Sequence, residues 1–384
     1  MKSLSNVIKT MPESGIRKVY ALAENAADCI HLEIGEPNFV TPQYICDAAI
    51  KAMAEGMTKY MPMTGYPSLR ESIAAEYSQK YGMKIDPSEV AVTSGAVMAI
   101  FDALRVISEP GDEILIPDPC WPVYRMQLHA LSLEAVPYLL DERNFMQPTK
   151  AGIEQLISPK TKAIVVNSPS NPAGVVFDKE TVQMIMDIAK THDLYIISDE
   201  IYDFLTYDGK RHISFKPYDE DGRVILISGA SKKYAMPGWR VGFAIANKEI
   251  IYLIEQFMIV KSGSCSSIAQ KAFEGAISGP QDFVQESVES YCERRNAIVR
   301  ICEKAKIPLF IPQGAFYLWL DISGTKMDAD QFLVTLFEKH RVTVTPGTTF
   351  GASGKYRIRI SFATEMDALC KGVQSICDLI NSKS

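Results

Sequence analysis

The sequence predicts an α/β protein: a mostly parallel sheet flanked by helices, joined to a smaller α+β lobe. Three observations carry this. Continuous apolar runs alternate with helical-period segments from Tyr66 to about Ala246; beyond residue 314 strand-like segments alternate apolar with polar residues; and 384 residues exceed the ~250–300 at which one hydrophobic core stops growing.

The runs EVAVTSG (89–95), DEILIPDP (112–119), KAIVVNSP (162–169), LYIISDE (194–200) and RVILISG (223–229) are apolar without alternation and end in Ser, Gly, Pro or acidic residues. Strands read this way when both faces are buried, as in a parallel sheet. Between them, GAVMAIFDALRVIS (95–108) and DKETVQMIMDIAKTHD (178–193) repeat apolar residues at i, i+3 and i+4 behind a Gly or Asp, the pattern of crossover helices. RVGFAIA (240–246) follows a connection too short for a crossover, which predicts an antiparallel neighbour. A long helical pattern over 267–305 leads to the second lobe. There GAFYLWLDI (314–322), VTVTPG (342–347) and KYRIRISFA (355–363) predict strands, and DADQFLVTLFEKHR (328–341) and the segment from Met366 predict helices.

Composition narrows the partners. A net charge of -6 spread along the chain offers no basic footprint for nucleic acid or anionic membrane, which leaves a small soluble ligand. Eight cysteines without CxxC pairs suit free thiols in a reducing cytosol, and five histidines show no metal-ligand spacing, so no metal is expected. The N-terminus has no apolar core of a signal peptide, and the longest apolar runs fall short of the ~18–20 residues that span a bilayer.

In open parallel sheets ligands bind at the C-terminal ends of strands, and the reactive residues fall there. Ser94-Gly95-Ala96-Val97 opens a helix, where free N–H groups and the helix dipole favour an anion. No GxGxxG follows a strand and no GxxxxGK[ST] occurs, so dinucleotide and P-loop readings lose their support. Asp199 and Glu200 end a buried run, and a buried carboxylate needs a cationic or N–H donor. Lys232 and Lys233 sit among Gly, Ala, Ser, Tyr, Met and Trp, where an ammonium needs either a solvated face or a chemical reason. Pyridoxal phosphate meets all these demands, since it requires a lysine, a carboxylate opposite its ring nitrogen, a phosphate cradle and donors to its phenolic oxygen.

With EIGEPNFVTP, KYMPMTGYPSLRESIA, SGAVMAI, PDPCWPVY, NSPSNPAG, SDEIY, SGASKKYAMPGWRVGF, GAFYLWLD, VTVTPGTTFG and RIRISFA in order, the chain resembles the class I/II aminotransferases. These belong to the fold type I pyridoxal-phosphate enzymes, and the resemblance is to the aspartate and aromatic branch. It implies a seven-stranded, mostly parallel large domain over 41–266, an interdomain helix and small α+β domain over 267–384, and an N-terminal segment, 1–40, joining the small domain. It implies Lys232 as the Schiff-base lysine, because Arg240 lies eight positions on, and leaves Lys233 as a solvated neighbour that can face water or a carboxylate. Arg240, Ser231 and the N–H groups of Gly95, Ala96 and Val97 would hold the phosphate. Asp199 would face the ring nitrogen, Asn171 and Tyr202 the phenolic oxygen, and Trp121 would stack on the ring rather than serve the core.

For the substrate, the resemblance implies Arg359 as the α-carboxylate clamp, with Arg357 on the same strand face as competitor, and Gly35, Trp121 and Asn171 as further contacts. Tyr60 matches a tyrosine that reaches the neighbouring subunit's phosphate, which implies a homodimer with shared sites, and a cytoplasmic location is expected. Two departures stand out. Gly229 replaces a frequent Ser or Thr, leaving Ser231 or Ser228 to supply a hydroxyl, and Pro237 replaces a frequent Thr. The implied activity is ping-pong transfer of an amino group between an L-amino acid and a 2-oxo acid. A carbon–sulfur β-lyase on the same fold and a non-catalytic cofactor-binding regulator are the alternatives.

Overall fold

The computed structural model describes residues 2–12, 15, 19, 22, 23, 26 and 28–383; part of the N-terminal segment assigned to 1–40 lies outside them. After the short β1 (Ile30–His31), the chain builds a seven-stranded sheet from β2 (Val90–Thr93), β3 (Glu113–Asp118), β4 (Glu134–Leu139), β5 (Thr161–Asn167), β6 (Tyr195–Asp199), β7 (Val224–Gly229) and β8 (Gly242–Ile245). The order is β2-β8-β7-β6-β5-β3-β4. Only β8 runs antiparallel to its neighbours, as its short connection requires.

Both faces of this sheet are covered, which is why its strands lack alternation. Ile114, Ile116, Val165, Ile197 and Ile225 pack with helices Ala96–Ile107 and Lys248–Lys261 on one face. Their sequence neighbours Leu115, Ile164, Val166 and Ile196 pack with helix Lys179–Thr191 on the other. Each such side chain contributes roughly 1.5–3 kcal/mol on leaving water. The sequence pattern does not reveal β4. It is an edge strand, EAVPYL, mostly exposed, and its Pro137 is tolerated because an edge needs no donor on its outer side.

Three strands of the second lobe, β9 (Tyr317–Asp321), β11 (Thr345–Pro346) and β12 (Arg357–Ser361), form an antiparallel sheet in the order β11-β12-β9, while β10 (Val342–Thr343) pairs in parallel with β1. The segment expected as one strand over 342–347 is therefore split between two ladders, with the buried Val344 turning the chain from one to the other. The helical pattern over 267–305 is also two elements, Ser267–Ser278 and Asp282–Lys304. Pro280 has no N–H to continue a helix, and a Cβ on Gly279 would lie 2.5 Å from the Tyr44 ring.

Ser267–Ser278 packs with Gln43–Ala54 and Pro67–Tyr81, two helices the sequence reading leaves unassigned, around Ile45, Leu69 and Phe273 beside β2 and β8. Asp282–Lys304 packs instead against Met366–Asn381, where the Sγ atoms of Cys302 and Cys377 lie 4.0 Å apart. All eight cysteines are free thiols. Among the described residues no helix is long and apolar enough to cross a membrane.

Candidate active site

A cavity of about 400 Å³ opens at the C-terminal ends of β2, β3, β5, β6 and β7, closed from the second lobe by Tyr317 and Arg359. Its size suits a small-molecule ligand. β7 runs into one helical turn, Ala230–Lys233, which sends its two lysines in different directions. Lys232 Nζ enters the cavity, donates to the Gly35 carbonyl at 2.7 Å and lies 5.7 Å from the Phe316 ring centre. Burial pushes its pKa down to about 8; Arg359 and Arg240 act in the same direction, and Glu36 and Asp199 oppose them. Lys233 turns away to Glu76, 2.5 Å from Oε1. Burial would depress its pKa too, but Glu76 carries it above the ordinary lysine value.

At the end of β6, Asp199 faces the cavity and Glu200 does not. Glu200 is enclosed by His212 Nε2 at 2.8 Å and by the Ser214, Ser198 and Tyr81 hydroxyls; burial alone would raise its pKa, but His212, Ser214 and Lys80 hold it below the ordinary value. Asp199 accepts from the Tyr124 hydroxyl at 2.5 Å and from the Ile201 N–H at 3.3 Å. Burial raises its pKa to about 6, against the pull of these two bonds. Tyr124→Phe removes a donor to the charged form, so the pH above which Asp199 is ionised rises. The acid limb of the kcat/KM profile is expected to move to higher pH by about one to two units, since a bond to a charged group is worth roughly 1.5–3 kcal/mol. A limb that stays put would show that Tyr124 does not set the state of Asp199.

β2 leads into the anion cradle. Gly95 has φ +86°, a conformation that favours glycine, and its own N–H turns back to the Thr93 carbonyl at 2.7 Å. The N–H groups of Ala96 and Val97, at the start of helix Ala96–Ile107, have no intrahelical acceptor. The Arg240 guanidinium closes on them: a Cβ on Gly95 would lie 2.7 Å from its Nη2, and a Cβ on Gly242 would lie 2.3 Å from the Ala96 nitrogen. Ser231 lines the cavity, whereas Ser228 is buried, with its Oγ 3.5 Å from the Glu200 carbonyl. At 229 no hydroxyl fits, because a Cβ there would meet Gly242 Cα at 2.7 Å.

The opposite end is built on β12. Arg359 is buried, donating from Nη1 to Asn171 Oδ1 at 3.0 Å and from Nη2 to the Glu33 carbonyl at 2.6 Å and Thr345 Oγ1 at 3.1 Å. Its Nε has no partner among the described residues. Arg357 leaves the site for Glu142 and Asp321, 2.5 and 3.1 Å away. Asn171 is fixed by Asn167, whose Oδ1 accepts its N–H at 2.8 Å while Nδ2 donates to the Asp199 carbonyl at 3.0 Å.

The Tyr202 hydroxyl lies 2.8 Å from that of Tyr317. Trp121 forms a half-buried wall, edge-on to Tyr124, and Gly35 lets the backbone approach, since a Cβ there would be 2.7 Å from the Tyr317 hydroxyl. The chain thus brings together Gly35, Ala96, Val97, Trp121, Asn171, Asp199, Tyr202, Ser231, Lys232, Arg240 and Arg359, with Gly95 directly beneath. Tyr60 stands apart, fully exposed and outside the cavity lining. Asn167, Tyr124 and Tyr317 were not singled out by the sequence, although each lies inside a motif it offered.

The class I and II aminotransferase family model matches residues 27–376. An aspartate aminotransferase from Geobacillus stearothermophilus is 36% identical over 391 residues, covering 98% of each chain. A (5-formylfuran-3-yl)methyl phosphate transaminase from Methanocaldococcus jannaschii is 37% identical over 357 residues, covering 92% of this chain and 91% of that one. The crystal structure of an aromatic aminotransferase from Pyrococcus horikoshii superposes with a TM-score of 0.90 at 32% identity, covering 95% of this chain and 99% of that one. With this fold and this cavity, the chain belongs to the class I and II aminotransferases and is a pyridoxal-phosphate-dependent transaminase.

Proposed function

We propose that the cavity around Lys232 moves an amino group between an L-amino acid, aspartate-like, aromatic or related, and a 2-oxo acid in two half-reactions. The observation that carries this is an amine of lowered basicity, Lys232, placed between a buried carboxylate, Asp199, and two guanidinium groups, Arg240 and Arg359. The residues fit the cofactor. Ala96 and Val97 offer free N–H groups beside Arg240 and Ser231 for a phosphate, with Gly95 shaping the approach. Asp199 suits a protonated ring nitrogen. Because Arg359 takes Asn171 Oδ1, the Asn171 Nδ2 remains as a donor, alongside Tyr202, for the phenolic oxygen. Trp121 supplies a flat face, and Lys232 a covalent attachment.

When bound, pyridoxal phosphate supplies an electrophilic carbon for the amino group and a ring that accepts the electron pair left at the substrate Cα. The chain's own work is positioning and proton transfer. Arg359 takes the α-carboxylate with its planar guanidinium, a donor set that lysine cannot reproduce, through the N–H groups not committed to Asn171, Glu33 and Thr345. The Lys232 amine, with a pKa of about 8, serves near neutral pH as base for the Cα proton and, once protonated, as acid. The Gly35 carbonyl at 2.7 Å holds that amine in place.

In a homodimer, the fully exposed Tyr60 would serve the neighbour's phosphate. Eight free thiols support a cytoplasmic location. Borohydride reduction of the loaded enzyme followed by peptide mapping is expected to find the cofactor on Lys232. Label on Lys233 or elsewhere, or none on competent protein, overturns the reading.

A further inference from the structure

We propose that Tyr317 is a positioning residue that aims the Tyr202 hydroxyl at the cofactor by donating its own proton to the Tyr202 oxygen. The inference deepens the reading above and rests on Tyr202 as donor to the cofactor's phenolic oxygen. Tyr317 opens β9 in the second lobe, Tyr202 follows β6 in the large sheet, and the 2.8 Å contact between their hydroxyls bridges the two lobes. Both side chains are buried, both line the cavity, and neither hydroxyl has another hydrogen-bond partner among the described residues.

A phenol carries one proton. If Tyr202 spends its proton on Tyr317, it has none to present to a ligand; if Tyr317 donates, the Tyr202 O–H is free to turn into the cavity. The charges around the pair select the second arrangement. The Arg359 guanidinium lies 4.5 Å from the Tyr317 ring centre, and a cation there makes that phenol the better proton donor. Burial raises the pKa of both; Arg359 opposes the rise at both, but at Tyr317 it is the first influence after burial, whereas at Tyr202 Tyr317 and Asp199 add to the rise and the phenol ends well above its ordinary value. Tyr291, from helix Asp282–Lys304, is the other phenol near Tyr317 and is uncharged at neutral pH. Gly35 completes the arrangement: a Cβ there would lie 2.7 Å from the Tyr317 hydroxyl, so only glycine leaves that oxygen its place. One ring thus touches the carboxylate clamp through its face and the cofactor's donor through its oxygen.

The test is a pH titration of the bound cofactor's visible absorbance in the holoenzyme, with Tyr202→Phe, Tyr317→Phe and the double variant. A donor to the phenolic oxygen stabilises its negative charge, so losing the donor raises the midpoint. Tyr202→Phe is expected to raise it, Tyr317→Phe to raise it less, by about 0.5 pH units, and the double variant to match Tyr202→Phe alone. Tyr317→Phe keeps the ring over Arg359, so the KM for the amino donor is expected to stay within about twofold, whereas Tyr317→Leu raises it. If Tyr202→Phe moves the midpoint and Tyr317→Phe does not, the positioning role is wrong while the donor role of Tyr202 survives. If Tyr202→Phe itself leaves the midpoint unmoved, the underlying reading fails and this one with it.

Discussion

Lys232→Ala is expected to lower transamination by at least about 10⁴-fold, because one change removes both the covalent attachment and the proton-transfer group. The cradle of Ala96, Val97 and Arg240 is untouched by the substitution, so noncovalent binding of the cofactor should persist and can be measured by equilibrium dialysis. A small added amine should restore part of the rate, since a diffusible base can occupy the vacated space. Full turnover without such an amine would show that another group moves the proton. The neighbouring lysine is the control. Lys233→Ala breaks a half-buried pair with Glu76, outside the cavity, and should cost at most about 1 kcal/mol of stability while leaving turnover nearly unchanged.

The second large effect is expected at the carboxylate clamp. Arg359→Lys keeps the charge but loses the planar fork, and kcat/KM for amino-acid donors should fall by roughly 10²–10⁴-fold, since each hydrogen bond to a charged group is worth about 1.5–3 kcal/mol. The same change strands the Glu33 carbonyl and Asn171 Oδ1, two acceptors that Arg359 now satisfies, so the melting temperature should drop as well. Arg357→Lys separates position from charge. Its partners Glu142 and Asp321 lie outside the cavity, and donor kinetics should change little. Steady-state kinetics of both variants with one amino acid decide the matter: near-equal values would exclude Arg359 as the clamp.

Much of this architecture is legible without coordinates. Five unbroken apolar runs can be stable only with both faces covered, so they imply a parallel sheet, and the polar residues ending them mark the edge where a ligand binds. Several of the features missed trace to one limit: pattern reports burial, not which partner a residue meets. β4 is an exposed edge, so it leaves no apolar run. Residues 342–347 look like one strand because each short ladder contributes the same residue types, although the two belong to different sheets. Tyr124 and Tyr317 look like core aromatics because they are buried, and nothing local says that a hydroxyl is also placed against a partner 75 or 115 residues away.

The sequence alone determined the chemistry on offer: a lysine, a carboxylate, a helix start and two guanidinium groups at strand ends, together with the layered fold that burial of those strands compels. Which of two adjacent lysines enters the cavity, which of two arginines on one strand faces it, and which phenol steers another were decided only by tertiary packing. The reason is geometric. A strand or a helical turn sets the direction of a side chain relative to its own backbone, whereas the partner that makes that direction matter, Glu76 for Lys233 or Glu142 for Arg357, comes from a distant part of the chain.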